Sequence, residues 1–339
     1  MAITNTTIEA LVGANEKTLG ATVDFLAPRT NELVQSGLTA TSPAVDKVAN
    51  GPRVGTIPFL SPLEVANINV STDNINDEGN VESMEADEYK AMRLDLNNAW
   101  GFADLQRIVT QYDAKGGAPA MIADWQNGVD KKLLAAALKG VRAVVEKAAK
   151  GTAAANGNPA VAPVTGITFD VAGDFDMGPV FAANATAEEW ADLFDIMMVS
   201  HGRYAKLQAD EKSGFLTPSQ TGSSFSTYKG KTLLRTNTLT DDQVITARRG
   251  AVAYGTGNPE GLIPVEYIRK GLGGNGGGAD ILVKRFSRVI HPQGLDYLGK
   301  PAKKGDDVFA LLANAANWDL ALPAAQFGFR FINFNKASS

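Results

Sequence analysis

Apolar residues between Pro119 and Lys150 recur at three- and four-residue steps, as Ile122, Trp125, Val129, Leu133, Ala137, Val141, Val144 and Ala148. That spacing places them on one face of a helix. Pro119 suits the first turn, where a missing N–H costs nothing, and Gly151 suits a left-handed cap after the last. At about 1.5 Å per residue the predicted helix is roughly 48 Å long, enough to span its domain. Gly128 and Gly140 each cost about 1 kcal/mol relative to alanine inside a helix, so they predict close approach of a neighbouring backbone.

Before this helix the pattern is different. Residues 1–52 read as an arm with little core of its own, holding one weakly amphipathic piece with Ile8, Leu11, Val12 and Leu19. Ser42-Pro43 favours extended chain. Across 53–97 apolar and polar residues alternate, predicting strands at Val54–Leu60, Ile68–Ser71 and Tyr89–Leu96. Between them stand Asp73, Asp77, Glu78, Glu82, Glu85, Asp87 and Glu88 without a lysine or arginine. Such a ribbon has too little apolar area to fold alone, so it is expected to dock on a partner or another domain. Trp100–Tyr112 reads as a short helix with Phe102, Leu105, Ile108 and Val109 on one side.

After the long helix, the small-residue run Gly151–Gly166 marks a domain boundary. From Ile167 short strands alternate with short helices. Thr186 and Glu189 stand in capping-box spacing, predicting a helix from near Ala187. Ile196–Val199 reads as a buried strand and Gly202–Asp210 as a helix with Tyr204 and Leu207 inward. Thr232–Thr236 and Ala251–Tyr254 read as further strands, making 166–280 a compact α/β unit. The return leg is a strand at Ile281–Ile290, the turn His291–Gly294, and a helix at Val308–Trp318 with Phe309, Leu312 and Ala316 on one face. A last strand has Phe327, Phe329 and Phe331 alternating. These late elements are assigned to the domain of the long helix, which makes 166–280 an insertion in an α+β chain.

Composition narrows the function classes. With 339 residues, 44% hydrophobic and 20% charged, the chain can bury a large core and is globular. A net charge of -5 argues against a dedicated nucleic-acid surface, which needs clustered cations. Zero cysteines exclude disulfides, thiolate metal sites and cysteine nucleophiles. No leader pattern and no window of 18 apolar residues is present, so a soluble, non-secreted chain is expected.

The motifs that resemble chemistry fail on context. Gly271, Gly273 and Gly276 fit G-x-G-x-x-G, but a strand follows where a dinucleotide site needs a helix N-terminus, so a hairpin connection is expected. Gly230-Lys231-Thr232 ends like a phosphate-binding loop, with Phe225 where its first glycine belongs. Asn74, Asn76, Glu78, Glu82 and Glu85 stand at the oxygen-ligand positions of a calcium loop, with glycine at its sixth place. The predicted flanks are strands instead of paired helices, so a solvated acidic tip is expected, and a calcium-binding interaction module is the alternative function. His201 and His291 are the only histidines, and His291 is expected to make a structural hydrogen bond in its turn. No catalytic residue and no cofactor is predicted.

Several segments resemble the major capsid proteins of tailed bacteriophages. They are RTNELVQSGLTATSPAVDKVANGPRVGTIPFL, AWGFADLQRIVTQYD with the later ALKGV, MMVSHGRYAKL, RGAVAYG, KRFSRVIHPQG and ALLANAANWDL, in that order between Arg29 and Asn335. The resemblance implies a Hong Kong 97-type fold. Its parts would be an N-terminal arm (1–52), an extended loop (53–97), a peripheral domain (98–165 and 281–339, with a spine helix at 119–150) and an axial domain (166–280). It further implies a non-enzymatic virion protein, assembled in the bacterial host cytoplasm with itself as hexamers and pentamers. Its other partners would be a scaffolding protein, a portal, possible decoration or cement proteins, and packaged DNA without sequence-specific binding; no membrane is involved. About 50 residues precede the extended loop, too few for a built-in scaffold, so a separate scaffolding protein is implied. Some capsids of this fold join a loop lysine to a neighbour's asparagine. Here the only lysine in 53–97 is Lys90, near the ribbon base, and noncovalent shells are expected.

Overall fold

A computed structural model describes residues 35–60, 68–71, 73, 76, 78–79, 86–104, 114–151, 163–209, 214–218, 225–236, 238–258, 263–273 and 276–335. In chain order these form β1 (Thr39–Ala40), α1 (Pro43–Asn50), β2 (Val54–Leu60), β3 (Ala86–Ala103) and α2 (Ala114–Lys150). Next come β4 (Thr168–Asp170), α3 (Met177–Ala185), β5 (Ile196–Val199), α4 (His201–Ala209), β6 (Phe215–Leu216), β7 (Thr227–Tyr228), β8 (Lys231–Arg235) and β9 (Gln243–Ala247). The chain ends with β10 (Val252–Gly257), β11 (Val265–Lys270), β12 (Ala279–Pro292), β13 (Leu295–Tyr297), α5 (Val308–Ala313), β14 (Trp318–Leu320) and β15 (Phe329–Asn333). The amphipathic piece expected at 8–19 lies outside the described residues.

The long helix α2 is 37 residues, about 55 Å, and starts five residues before Pro119. A proline that close to the start forfeits a single intrahelical hydrogen bond, which the rest of so long a helix outweighs. Ile122, Leu133, Ala137, Val141 and Val144 are buried as the period predicts, while Trp125, Val129 and Ala148 are half-buried. Leu134, Leu138 and Val145 are buried as well, so the helix is covered on more than one side. The two interior glycines differ. A β-carbon on Gly140 would collide with the Leu312 carbonyl oxygen and lie 3.0 Å from the Trp318 indole nitrogen, whereas one on Gly128 meets nothing within 4 Å.

One sheet has the strand order β1-β10-β12-β3-β2, with β11 also paired to β12. Its spine is the antiparallel pair β3 and β12, in register from Ala103↔Ala279 to Arg93↔Val289. The helix expected at Trp100–Tyr112 therefore does not begin at Trp100. Residues 100–103 continue β3, because pairing with β12 is a distant contact that local propensity cannot register, and 105–113 lie outside the described residues. The arm, expected to have little core of its own, forms a helix at 43–50 that lies on this sheet. Ser42 is extended, as its proline neighbour requires, and its hydroxyl accepts from the Val45 N–H, so Pro43 opens α1 as a first-turn proline. Val45, Val48 and Ala49 then bury against Ala91, Ala253 and Val289 of the sheet.

The second sheet has the order β4-β15-β9-β5-β8-β7-β6. The run Ile196–Val199 is a fully buried strand, as expected. The capping box at Thr186 does not form. Its hydroxyl donates to the Ala183 carbonyl, α3 ends just before it, and Glu188–Leu193 is a 3-10 turn with no side-chain cap. The C-terminal strand β15 takes its hydrogen bonds from β9 and β4, while Phe329 and Phe331 share a core cluster with Leu133 and Val141 of α2. Of the helix expected at Val308–Trp318 only Val308–Ala313 forms. The Asn314 side chain accepts from the Ala316 N–H to start a new turn, Ala316 is exposed, and Trp318 belongs to β14.

These contacts give opposite expectations for two glycines. Gly140→Ala should lower the unfolding free energy of the subunit by about 1–3 kcal/mol through overpacking, and Gly128→Ala should raise it by up to about 1 kcal/mol. Urea unfolding monitored by circular dichroism checks both, and equal effects at the two positions would refute the account.

Candidate functional site

The buried polar groups sit where elements are locked together. Asp130 on α2 and Arg288 on β12 pair at 3.1 Å, with side chains 2% and 5% exposed, and the Tyr254 hydroxyl on β10 donates to the same carboxylate at 2.9 Å. Burial raises the Asp130 pKa against the pull of Arg288, and burial also raises that of Tyr254. Trp125 on α2 stands edge-on to both Trp100 and Phe286, with centroids 5.1 and 5.6 Å apart. On the other side of the core, Arg330 is fully buried and its guanidinium donates to the carbonyls of Phe327, Phe329, Ala324 and Ala325 and to the Thr186 hydroxyl. Burial, then the nearby Arg248 cation, brings its pKa down to about 10. These groups hold the backbone in place.

His291 is a buried ring that faces the Leu295 backbone. It ends the long strand β12 fully buried, with Tyr89 and Trp318 rings 6.0 and 5.6 Å from its own. Burial brings the imidazole pKa to about 4, and the Leu295 backbone offsets only part of that shift. His201, by contrast, is exposed at the start of α4.

The remaining motifs land as follows. Gly271–Gly276 lies in the connection between β11 and β12, two antiparallel strands, so it is the hairpin link expected of it. Gly230 and Lys231 turn β7 into β8, and the Lys231 ammonium donates to the Phe194 carbonyl. Of the calcium-loop positions, Asn76 and Glu78 are exposed, and Asn74, Glu82 and Glu85 lie outside the described residues. Ile68–Ser71 is not the strand expected there but irregular chain, with Ile68 and Val70 77% and 86% exposed. Among the described residues no group of three or more side chains is arranged to hold a metal ion.

Two surfaces remain unspent by the fold. The first is the ribbon: β2 pairs β3 from Val54↔Met92 to Leu60↔Ala86 and forms the sheet's edge, and between its two strands Ile68, Val70, Asp73 and Glu78 are exposed. Its base is fixed by the Lys90 N–H, which donates to the Asp296 carboxylate at 2.6 Å. The second is a groove of about 840 Å³ between α2, the strands β5 and β8, and α5. Sequence reasoning missed this groove, because its walls come from separate segments spread between Lys131 and Ala313.

No protein-family model matches the chain. It is homologous to the major capsid protein of Bacillus phage SPP1, with 25% identity over 304 residues covering 84% of this chain and 85% of that protein. Its fold is similar to that of the capsid of Ralstonia phage GP4, with a TM-score of 0.52 and 10% identity over 77% of this chain and 84% of that one.

Two stability tests follow from the buried groups. Arg288→Met should cost about 3–5 kcal/mol by stranding the Asp130 charge, and pairing it with Asp130→Leu should recover most of that loss; urea unfolding of the single and double variants reads the difference. For His291, whose pKa is lowered from 6.5 to about 4, the unfolded chain takes up a proton as pH falls below 6.5 while the folded chain resists until about 4. Stability should therefore drop by about 2 kcal/mol between pH 7 and pH 5. His291→Phe should remove that part of the slope, and an unchanged slope would refute the assignment.

Proposed function

We propose that this chain, a structural and non-enzymatic major capsid protein of bacteriophage with the Hong Kong 97-type fold, closes into an icosahedral head of hexamers and pentamers around double-stranded DNA. The observation that carries the proposal is the ribbon. A seven-residue pairing of β2 with the start of β3 at the sheet's edge flanks a segment in which Ile68, Val70, Asp73 and Glu78 are left exposed by the described part of their own subunit. Two-stranded ribbons are marginal in water alone, so their stability comes from whatever they rest on. In a shell that support is a neighbouring subunit.

The proposed parts are the arm (1–52), the extended loop (53–97), the peripheral domain around α2 (98–165 and 281–339) and the axial domain (166–280). Two segments bridge them: β10 and β11 hydrogen-bond into the ribbon's sheet, and β15 into the sheet of the axial unit. A scaffolding protein, a portal and a decoration protein are the proposed further partners, and the packaged DNA is held without sequence-specific contacts.

Expressed with its scaffold, the protein should form closed shells visible by electron microscopy, and light scattering that finds only monomers under all such conditions would refute the proposal. The shells should be noncovalent. Lys90, the only lysine of the extended loop, is exposed near the ribbon base, and a nucleophilic amine needs an apolar pocket to shed its proton. Boiling mature particles in detergent should leave one band near 35.8 kDa; a resistant ladder would overturn this.

A further inference from the structure

We propose, on the premise of the assembly reading above, that the groove between α2, β8 and α5 receives an acidic amphipathic helix of the separate scaffolding protein. The groove floor is apolar, with Leu134 and Leu138 from the long helix, Met198 and Leu234 from the strands, and Phe309 from α5. Lys131, Lys132, Lys139, His201 and Arg235 line the rim, all exposed, and no carboxylate does. The Arg235 guanidinium lies 4.9 Å over the Tyr204 ring, which holds it in position without neutralising it. Lys132 and Lys139 are two helical turns apart and so share one face of α2. A second cavity of about 150 Å³ shares Leu138, Lys139 and Thr238 with the first and carries the depression on to Glu146, whose carboxylate is already held by Arg142 at 2.8 Å. From Lys131 to Glu146 the trench therefore runs beside α2 for about 22 Å, the length of a helix of about fifteen residues.

Shape and charge together select the occupant. A helix with apolar residues at three- and four-residue steps covers such a floor, and carboxylates flanking that stripe meet the cations of the rim. Duplex DNA would match the rim and leave the floor uncovered. The described helices of a second copy do not fit either. α1 turns Val45, Val48 and Ala49 onto its own sheet, α3 has no charged residue, α4 carries Arg203 and Lys206 and no carboxylate, and α5 is the groove's own wall. The acidic turn Glu188–Leu193 sets Glu188, Glu189 and Asp192 beside the exposed Leu193, but a 3-10 turn of that size spans about 12 Å, roughly half the trench. A helix from a different chain is what remains.

The first test needs no partner protein. A fluorescent synthetic helix of that length, with leucines at three- and four-residue steps and glutamates between them, is titrated with the full chain and followed by anisotropy. Saturable binding is expected, weakened about tenfold by Lys132→Glu with Lys139→Glu, the worth of two moderate ion pairs, and abolished by Ala310→Trp, which fills the groove from an exposed position on α5. A helix with lysines in place of the glutamates should not bind. Circular dichroism checks that both variants keep the native fold; binding that ignores either of them, or that the lysine helix matches, would overturn the proposal. The second test uses shells built with the scaffolding protein and a carbodiimide, which joins an ammonium to a carboxylate only where the two already touch. Mass spectrometry should find Lys132 or Lys139 linked to scaffold carboxylates at the spacing of one helix face. Links from these lysines to another copy of this chain, or shells that contain scaffold without any such link, would equally overturn it, as would lysines that become reactive only after nuclease treatment. If the synthetic helix binds as described and no shells form with the scaffold, it is the assembly reading that fails.

Discussion

One helix has to serve two sheets. Among the described residues α2 is the longest helix, and a single cluster joins both the six-stranded and the seven-stranded sheet through it. Met92, Val252 and Ile290 from one sheet meet Ile196, Ile245 and Phe331 from the other across Leu133, Ala137 and Val141. Each fully buried leucine or valine here contributes about 1.5–3 kcal/mol, so this apolar seam supplies most of the stability. The Asp130 to Arg288 pair supplies something else. A buried ion pair gains little over a hydrophobic replacement, but it is satisfied in one register only, and it fixes how α2 sits along β12. Ten residues further along, Gly140 lets the Leu312 carbonyl come closer than any side chain would allow, which seats α5 against the same helix.

What the sequence made legible was what repeats locally. The three- and four-residue period exposed α2, alternation exposed β2 and β12, and an uninterrupted apolar run exposed β5. The errors fall where a distant partner decides. Trp100 and Phe102 sit well on a helix face or a strand face, and pairing with Leu282 and Asp280 of β12 settles the matter. Thr186 and Glu189 have capping-box spacing, yet the Thr186 hydroxyl is already committed to Ala183 and Arg330. The opening of α1 was readable and was missed: serine followed by proline and, three residues on, aspartate is a helix start as well as a turn. The cationic groove was not readable at all, because Lys132, Arg235 and Phe309 are brought together only by the fold.

Burial also decides which titratable groups matter. His291 and Arg330 have displaced pKa values, and each is explained by the packing it sits in: a ring filling space between Tyr89 and Trp318, and a guanidinium gathering the carbonyls of the segment before β15. Perturbed groups cluster at reactive sites, but structural networks perturb them equally well. Here the second account covers each case, in keeping with a protein whose work is done by surfaces.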